Sequence, residues 1–198
     1  MNTTGALPEA LIAEGWTSTG KNRAAAGNEE RCCELRSRDG LLTVWVSTSP
    51  SGSSILLTAK VVNRPGMRRR GWQAQLDRLP EPVALAAITA AGLEPADSWP
   101  AGAESMLTAA GWQPKPDADE SDDDPDEQGV FEFYDSLDDA FLHFAWASPD
   151  GTRSVEWFGP DDDPAFWSID RPDGEHRPFA RLTHYAPAAV IAALALTD

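Results

Sequence analysis

AFLHFAWASPDGTRSVEWF, residues 140–158, reads as a strand, a tight turn and a second strand. Side chains alternate along a strand, so Leu142, Phe144 and Trp146 share one face and Phe141, His143 and Ala145 the other. Pro149 fixes φ and Gly151 tolerates positive φ, which is good turn chemistry on either side of Asp150. The same plan occurs earlier in the chain, at 41–57, LLTVWVSTSPSGSSILL. There Leu41, Thr43 and Trp45 alternate with Leu42, Val44 and Val46, and Ser49-Pro50-Ser51-Gly52 stands where Ser148-Pro149-Asp150-Gly151 stands in the later copy.

Working outward, the surroundings of the two hairpins also match. LIAEGW at 11–16 matches LTAAGW at 107–112, an offset of 96. The turns match at an offset of 99, and Val62-Asn63-Arg64-Pro65 matches Ile169-Asp170-Arg171-Pro172 at 107. Pro80 and Val83 match Pro187 and Val190, also at 107. Matches in one order with a slowly growing offset predict a tandem duplication, with units at 1–97 and 98–198.

Each unit opens on a short helix, with Leu7, Leu11 and Ile12 at helical spacing before Gly15, and Met106, Leu107 and Ala110 before Gly111. Trp16 and Trp112 follow and are expected to plug the unit's core. Short strands are expected at 32–36, 41–47, 55–62 and 71–76, and at 130–134, 142–146, 155–158, 165–169 and 179–183. Each unit then closes on an Ala-rich helix, with stripes Val83, Ala87, Ala90 and Val190, Leu194, Thr197. The expected class is α+β: two tandem repeats, each an antiparallel sheet of about four to five strands with helices on one face.

Pro114 to Gln128 is almost devoid of apolar side chains and reads as a mobile acidic loop within unit two, since it cannot repay its ordering entropy. The inter-unit linker is expected at 93–101, between Pro95 and Pro100.

The LTAAGW opening, the Ser-Pro-Asp turn and the ending of aromatic strand, Pro and Ala-rich helix together resemble the SPDY-domain family, tandem domains found mainly in streptomycete-type actinobacteria. The ending reads WQAQLDRLPEPVALAAITAAG in one unit and FARLTHYAPAAVIAALALTD in the other. The family's Tyr after Ser-Pro-Asp is Gly151 here, and unit one has Ser51 and Gly52. The resemblance spans nearly the whole chain apart from the acidic loop. It implies an architecture and a source, and brings no catalytic residues with it.

The 198 residues carry a net charge of −16, but unevenly. Residues 1–92 hold 11 Lys and Arg against 8 Asp and Glu, a net of +3, while residues 93–198 hold 5 against 24, a net of −19. A chain this acidic is not one devoted to coating nucleic acid or anionic membrane, which rests on Lys and Arg. Cys32 and Cys33 are adjacent and make no disulfide scaffold, the N-terminus lacks a signal-peptide pattern, and the apolar run 186–196 is shorter than the roughly 20 residues a bilayer span needs. A cytoplasmic protein is expected.

His143, His176 and His184 have no zinc spacing, and the aspartate runs 122–124 and 161–163 lack that of a calcium loop, so no metal, cofactor or catalytic constellation is expected. The one cluster with physical content is Arg64, Arg68, Arg69 and Arg70, with Lys60 nearby: an anion-binding patch for phosphate or acidic protein. Trp45 and Trp72 are candidates to stack bases beside it, against the alternative that they are core. The expected function is non-catalytic binding of another macromolecule, most simply a protein, through two repeats of different charge. Two alternatives stand beside it: binding of single-stranded DNA or other nucleic acid through the arginines, or an acidic surface that mimics nucleic acid.

Overall fold

The computed structural model describes residues 6–20, 23–24, 31–49, 52–64, 67–92, 101–115, 141–160, 165–171, 179–183 and 185–198. The first half contains α1 (Ala6–Ala13), β1 (Thr17–Ser18), β2 (Arg23–Ala24), β3 (Arg31–Arg36), β4 (Leu42–Ser49) and β5 (Gly52–Ala59). A short hairpin of β6 (Val62–Arg64) and β7 (Met67–Arg69) comes next, then β8 (Trp72–Asp77) and α2 (Glu81–Ala91). The second half contains α3 (Ala101–Ala109), β9 (Gln113–Pro114), β10 (Phe141–Ala147), β11 (Ser154–Pro160), β12 (Phe166–Asp170), β13 (Phe179–Thr183) and α4 (Ala188–Leu196).

The strands form one antiparallel α+β sheet in the order β1-β3-β4-β5-β8-β13-β12-β11-β10-β9, with β2 beside β3. The order runs inward from each edge in parallel fashion and meets where β8 pairs with β13. Two separate sheets are therefore replaced by a single one that crosses the expected 97/98 boundary. At the meeting point Gln75 lies opposite Arg181, flanked by Leu76 opposite Ala180 and Ala74 opposite Leu182. Thr183 reinforces the seam: its Oγ1 accepts the Gln73 N–H at 2.9 Å and donates to the Gln73 carbonyl at 3.4 Å.

Local chemistry recurs in both halves. Gly15 (φ 92°) and Gly111 (φ 83°) end α1 and α3 in the left-handed conformation. The Trp16 N–H then reaches back to the Leu11 carbonyl at 3.0 Å, and the Trp112 N–H to that of Leu107 at 3.0 Å, so each helix ends in a Schellman motif. In the turn after β10, Ser148 Oγ accepts the Arg153 N–H at 2.9 Å and donates to Asp150 Oδ1, which also accepts the Thr152 N–H. The turn after β3 does the same: Ser37 Oγ accepts the Leu42 N–H at 2.9 Å and donates to Asp39 Oδ1, which accepts the Leu41 N–H.

That corrects the sequence alignment of the two hairpins. The turn that shares the hydrogen bonding of 148–151 is 37–40, and the strand that precedes it, like β10, stands second from an edge along the strand order: β3. Both of these turns use a Ser and an Asp to hold the backbone, and Ser49-Pro50-Ser51-Gly52 has no Asp. The expected continuous strand 55–62 also breaks, with β5 ending at Ala59 and β6 starting at Val62. Pro114, assigned to the acidic loop, belongs to β9 opposite Trp146, and the Lys115 N–H donates to the Ala145 carbonyl at 2.9 Å. The rest of that loop, the strand expected at 130–134 and the linker at 93–100 lie outside the described residues.

One cluster of buried side chains joins both halves. Val44, Val46, Ile55, Leu57, Ala74 and Leu76 point the same way as Val155, Trp157, Trp167, Ile169, Ala180 and Leu182, toward the helices. Val83, Ala84, Ala87 and Ile88 of α2 and Val190, Ile191, Leu194 and Ala195 of α4 cover them. The alanines let α2 and α4 lie against each other above the seam. Each buried Leu, Ile or Val contributes about 1.5–3 kcal/mol, so this shared core is the main bond between the halves. Thr197, expected in the α4 stripe, is instead its extended C-cap (φ −78°, ψ 134°). Arginines cap that helix end: Arg171 Nη1 donates to the Leu194 and Thr197 carbonyls at 3.2 and 2.6 Å, and Arg153 Nη1 to that of Ala195 at 3.0 Å. Cations there complement the helix dipole. Among the described residues, no helix is long and apolar enough to cross a membrane.

Candidate interaction surfaces

The basic cluster sits where β5 ends and β8 begins. Ala59 pairs with Trp72, which brings Lys60, Val61, Arg70 and Gly71 to one end of the sheet. Gly71 is small for a reason: a Cβ there would come within 2.9 Å of Val61 Cγ2 and 3.2 Å of the Ala59 carbonyl. From this point β6 and β7 stand off the main sheet as a separate two-stranded sheet, paired Val62 to Arg69, Asn63 to Arg68 and Arg64 to Met67. Arg64, Arg68 and Arg69 thus occupy adjacent positions of one hairpin.

Lys60 and Arg70 are exposed, and so is Val61, at 72%. The Arg70 guanidinium lies over the Tyr185 ring, 4.3 Å from its centroid. Tyr185 follows β13 and belongs to the other half, so this cation–π contact crosses the seam. The result is a cationic patch with an apolar body, Val61 and Tyr185, on an acidic chain. Nothing in the sequence pointed to Tyr185, because its place beside Arg70 follows from the pairing of β8 with β13.

The two tryptophans part company. Trp72 is buried at 4% exposure in the shared core, so its candidacy as a stacking residue fails. It alternates with Gln73 and Gln75 along β8, which put Trp72, Ala74 and Leu76 together on the inward face. Trp45 lies on the opposite face, half-buried, between Glu34 of β3 and Leu56 of β5. Glu34 is itself buried and holds Arg36, whose Nε and Nη2 donate to Glu34 Oε1 at 3.1 and 2.9 Å.

That opposite face is covered by no helix among the described residues. In the second half it carries a ladder that the sequence reading missed: Phe158 stacks on Phe166 with centroids 4.8 Å apart, and the Arg181 guanidinium lies 3.9 Å from the Phe166 centroid. The signal available was two Phe at outward strand positions, where polar residues are the norm.

Two titratable groups stand out by their surroundings. Burial pushes the Cys33 thiol up, with a further push from Cys32 beside it, away from the thiolate a nucleophile needs. Asp150 is held down at about 2, chiefly by the Ser148 hydroxyl and then by the Thr152 N–H and hydroxyl, and its role is to tie a turn. Among the described residues, no group of three or more His, Cys, Asp or Glu could hold a metal ion. Comparison with known proteins found no matching family model, no matching curated protein and no matching solved structure.

Proposed function

We propose that the protein is a non-catalytic, cytoplasmic interaction module that binds an acidic segment of another protein at the patch of Lys60, Val61, Arg70 and Tyr185 and the hairpin beside it. The observation that carries this reading is the Arg70–Tyr185 contact, which holds a guanidinium at the mouth of an arginine-bearing hairpin on a chain of net charge −16. Carboxylates would meet Lys60 and the arginines, while Val61 and Tyr185 would take aliphatic side chains between them. The same proposal includes the organisation: two SPDY-domain-like units in tandem, supported by the twin Schellman ends, the twin Ser-Asp turns and the mirrored strand order.

A second reading, that the patch binds single-stranded nucleic acid, is favoured by the same guanidinium–aromatic pair, since phosphate and bases call for these groups too. Fluorescence anisotropy of the full chain separates the two. The probes are a labelled Glu-Leu copolymer peptide and a labelled oligothymidylate, each titrated over a range of salt. Binding of the peptide, lost in Arg70→Ala and in Tyr185→Ala, is the expected result. Preference for the oligonucleotide, with affinity falling steeply as salt rises, would replace this reading by the second. Binding of neither probe at low salt would remove both.

A further inference from the structure

We infer that the acidic segment taken up at the patch, on the reading proposed above, binds in extended form as an added strand along the outer edge of β7. The hairpin keeps the register of the strands that lead into it. Ala59 lies opposite Trp72, and Val62, three residues on, lies opposite Arg69, three residues back. β6 and β7 therefore prolong β5 and β8 as one arm. The neighbouring strands stop short of it. β4 starts at Leu42, and the Lys60 N–H donates to the Leu41 carbonyl at 2.9 Å. On the other side β13 ends at Thr183, held to Gln73 by its two hydrogen bonds. Among the described residues, β6 pairs with β7 alone and β7 with β6 alone. The outer edge of such a strand presents main-chain N–H and C=O groups without a ladder partner, the template that an extended segment completes. A two-stranded ribbon is marginal in water by itself, and a third strand is what it lacks.

What stands at the foot of the β7 edge favours it over the β6 edge. Tyr185 comes two residues after the end of β13, and Arg70 one residue after the end of β7, with its guanidinium 4.3 Å from the Tyr185 ring centroid. A strand that takes up the line of β13 beyond Thr183 meets a held cation and a 44% exposed ring at its first step. The composition of the edge selects the sign of the occupant. Met67-Arg68-Arg69-Arg70 sets three arginines in four residues. A second copy of this strand would bring arginines against arginines, and like charges across a strand pair oppose it. A segment rich in Asp or Glu brings opposite charge to the same positions. Alternating acidic and aliphatic residues suit the mode further, because successive side chains of a strand fall on opposite faces. The carboxylates then share one face of the ribbon and the aliphatic groups the other.

Two peptides and the full chain test this. One is an alternating Glu-Leu peptide, the other the same peptide N-methylated at every residue, which keeps the side chains and removes every main-chain donor. In fluorescence anisotropy at low salt the methylated peptide should bind roughly tenfold more weakly or worse, since two or more main-chain hydrogen bonds are lost. In NMR of the complex, the Hα protons of the unmodified peptide should show cross-strand NOEs to the amides of Met67, Arg68 and Arg69. Equal affinity for the two peptides would overturn the added strand and leave the acidic-segment reading standing. NOEs to the amides of Val62, Asn63 and Arg64 instead would overturn the choice of edge. Failure of the unmodified peptide to bind at all, or its displacement by oligothymidylate as the preferred ligand, would remove the reading on which the added strand rests.

Discussion

Leu35, Val46 and Ile55 line the inner face of the first half, and Trp146, Trp157 and Trp167 stand at the corresponding register positions of the second. The neighbouring pairs are nearly unchanged: Val44 lies opposite Leu57, and Val155 opposite Ile169. Backbone pairing therefore tolerates an exchange of three aliphatic side chains for three indoles. The extra volume is absorbed nearby. α1 presents Leu7 and Leu11 to the core, whereas α3 presents Ala103 and Leu107. The indoles also make a stacked array, with Trp146 and Trp167 centroids 6.2 Å apart and Phe144 5.5 Å from Trp157. Strand order and core volume are thus separable: hydrogen bonds and turns hold the first, while the second can be redistributed between sheet and helix.

Three measurements press on this comparison. The largest effect belongs to Trp167, which is wholly buried: Trp167→Ala should cost about 3–5 kcal/mol in denaturant unfolding, and Ile55→Val at the matching site only about 0.5–1.5 kcal/mol. Similar costs for the two would mean that the indole array is loosely packed. Next comes Gly159, where an added Cβ would overlap the Trp157 ring, while the matching position in the first half holds Thr48. Gly159→Ala should destabilise by about 1–3 kcal/mol through overpacking. Thr48→Ala should change little, and a neutral Gly159→Ala would show that Trp157 has room to move.

The smallest effect is the acid response of the turn after β10. Asp150 is held at about 2, below the 3.8 of an unperturbed Asp, so its contribution to stability is present above pH 3.8 and is lost as pH falls toward 2. Asp150→Asn should flatten the stability profile across that window in a thermal-melt series. An unaltered acid slope would assign the acid sensitivity to other carboxylates.

Much of the frame was legible because its signals are local. Gly15 and Gly111 end their helices, Pro80 and Pro187 start others, and the strand alternation of 41–47 separates Leu42, Val44 and Val46 from Trp45 as expected, with the first set turned inward. The match between the two turns was misplaced because a Ser-Pro-x-Gly string looks like a turn equivalent. The equivalence in fact lies in which side chain accepts which N–H, and Ser37-Arg38-Asp39-Gly40 satisfies that without a proline. The seam was illegible for a different reason. β8 and β13 lie far apart in the chain, and neither carries a local mark of the other. The same distance hid Tyr185 from the arginine cluster and left Trp72 as a candidate, although its own strand already alternated polar and apolar. The Arg64, Arg68 and Arg69 positions were visible as a run of like charge, and the hairpin that carries them adds a frame to that run.

The seam has one more consequence. Alanine meets leucine on both sides of the Gln75–Arg181 pair, so exchanging the two strands would leave the apolar contacts as they are. The outward polar positions carry the distinction, the Gln75–Arg181 pair at the centre and the Gln73–Thr183 hydrogen bonds beside it. Two β13 strands would set arginine against arginine, and two β8 strands glutamine against glutamine, whereas the mixed pair sets Gln75 opposite Arg181 and leaves its guanidinium over the Phe166 ring. The address by which one half finds the other is therefore written in two outward polar pairs, and the covalent chain between them supplies the rest of the fidelity.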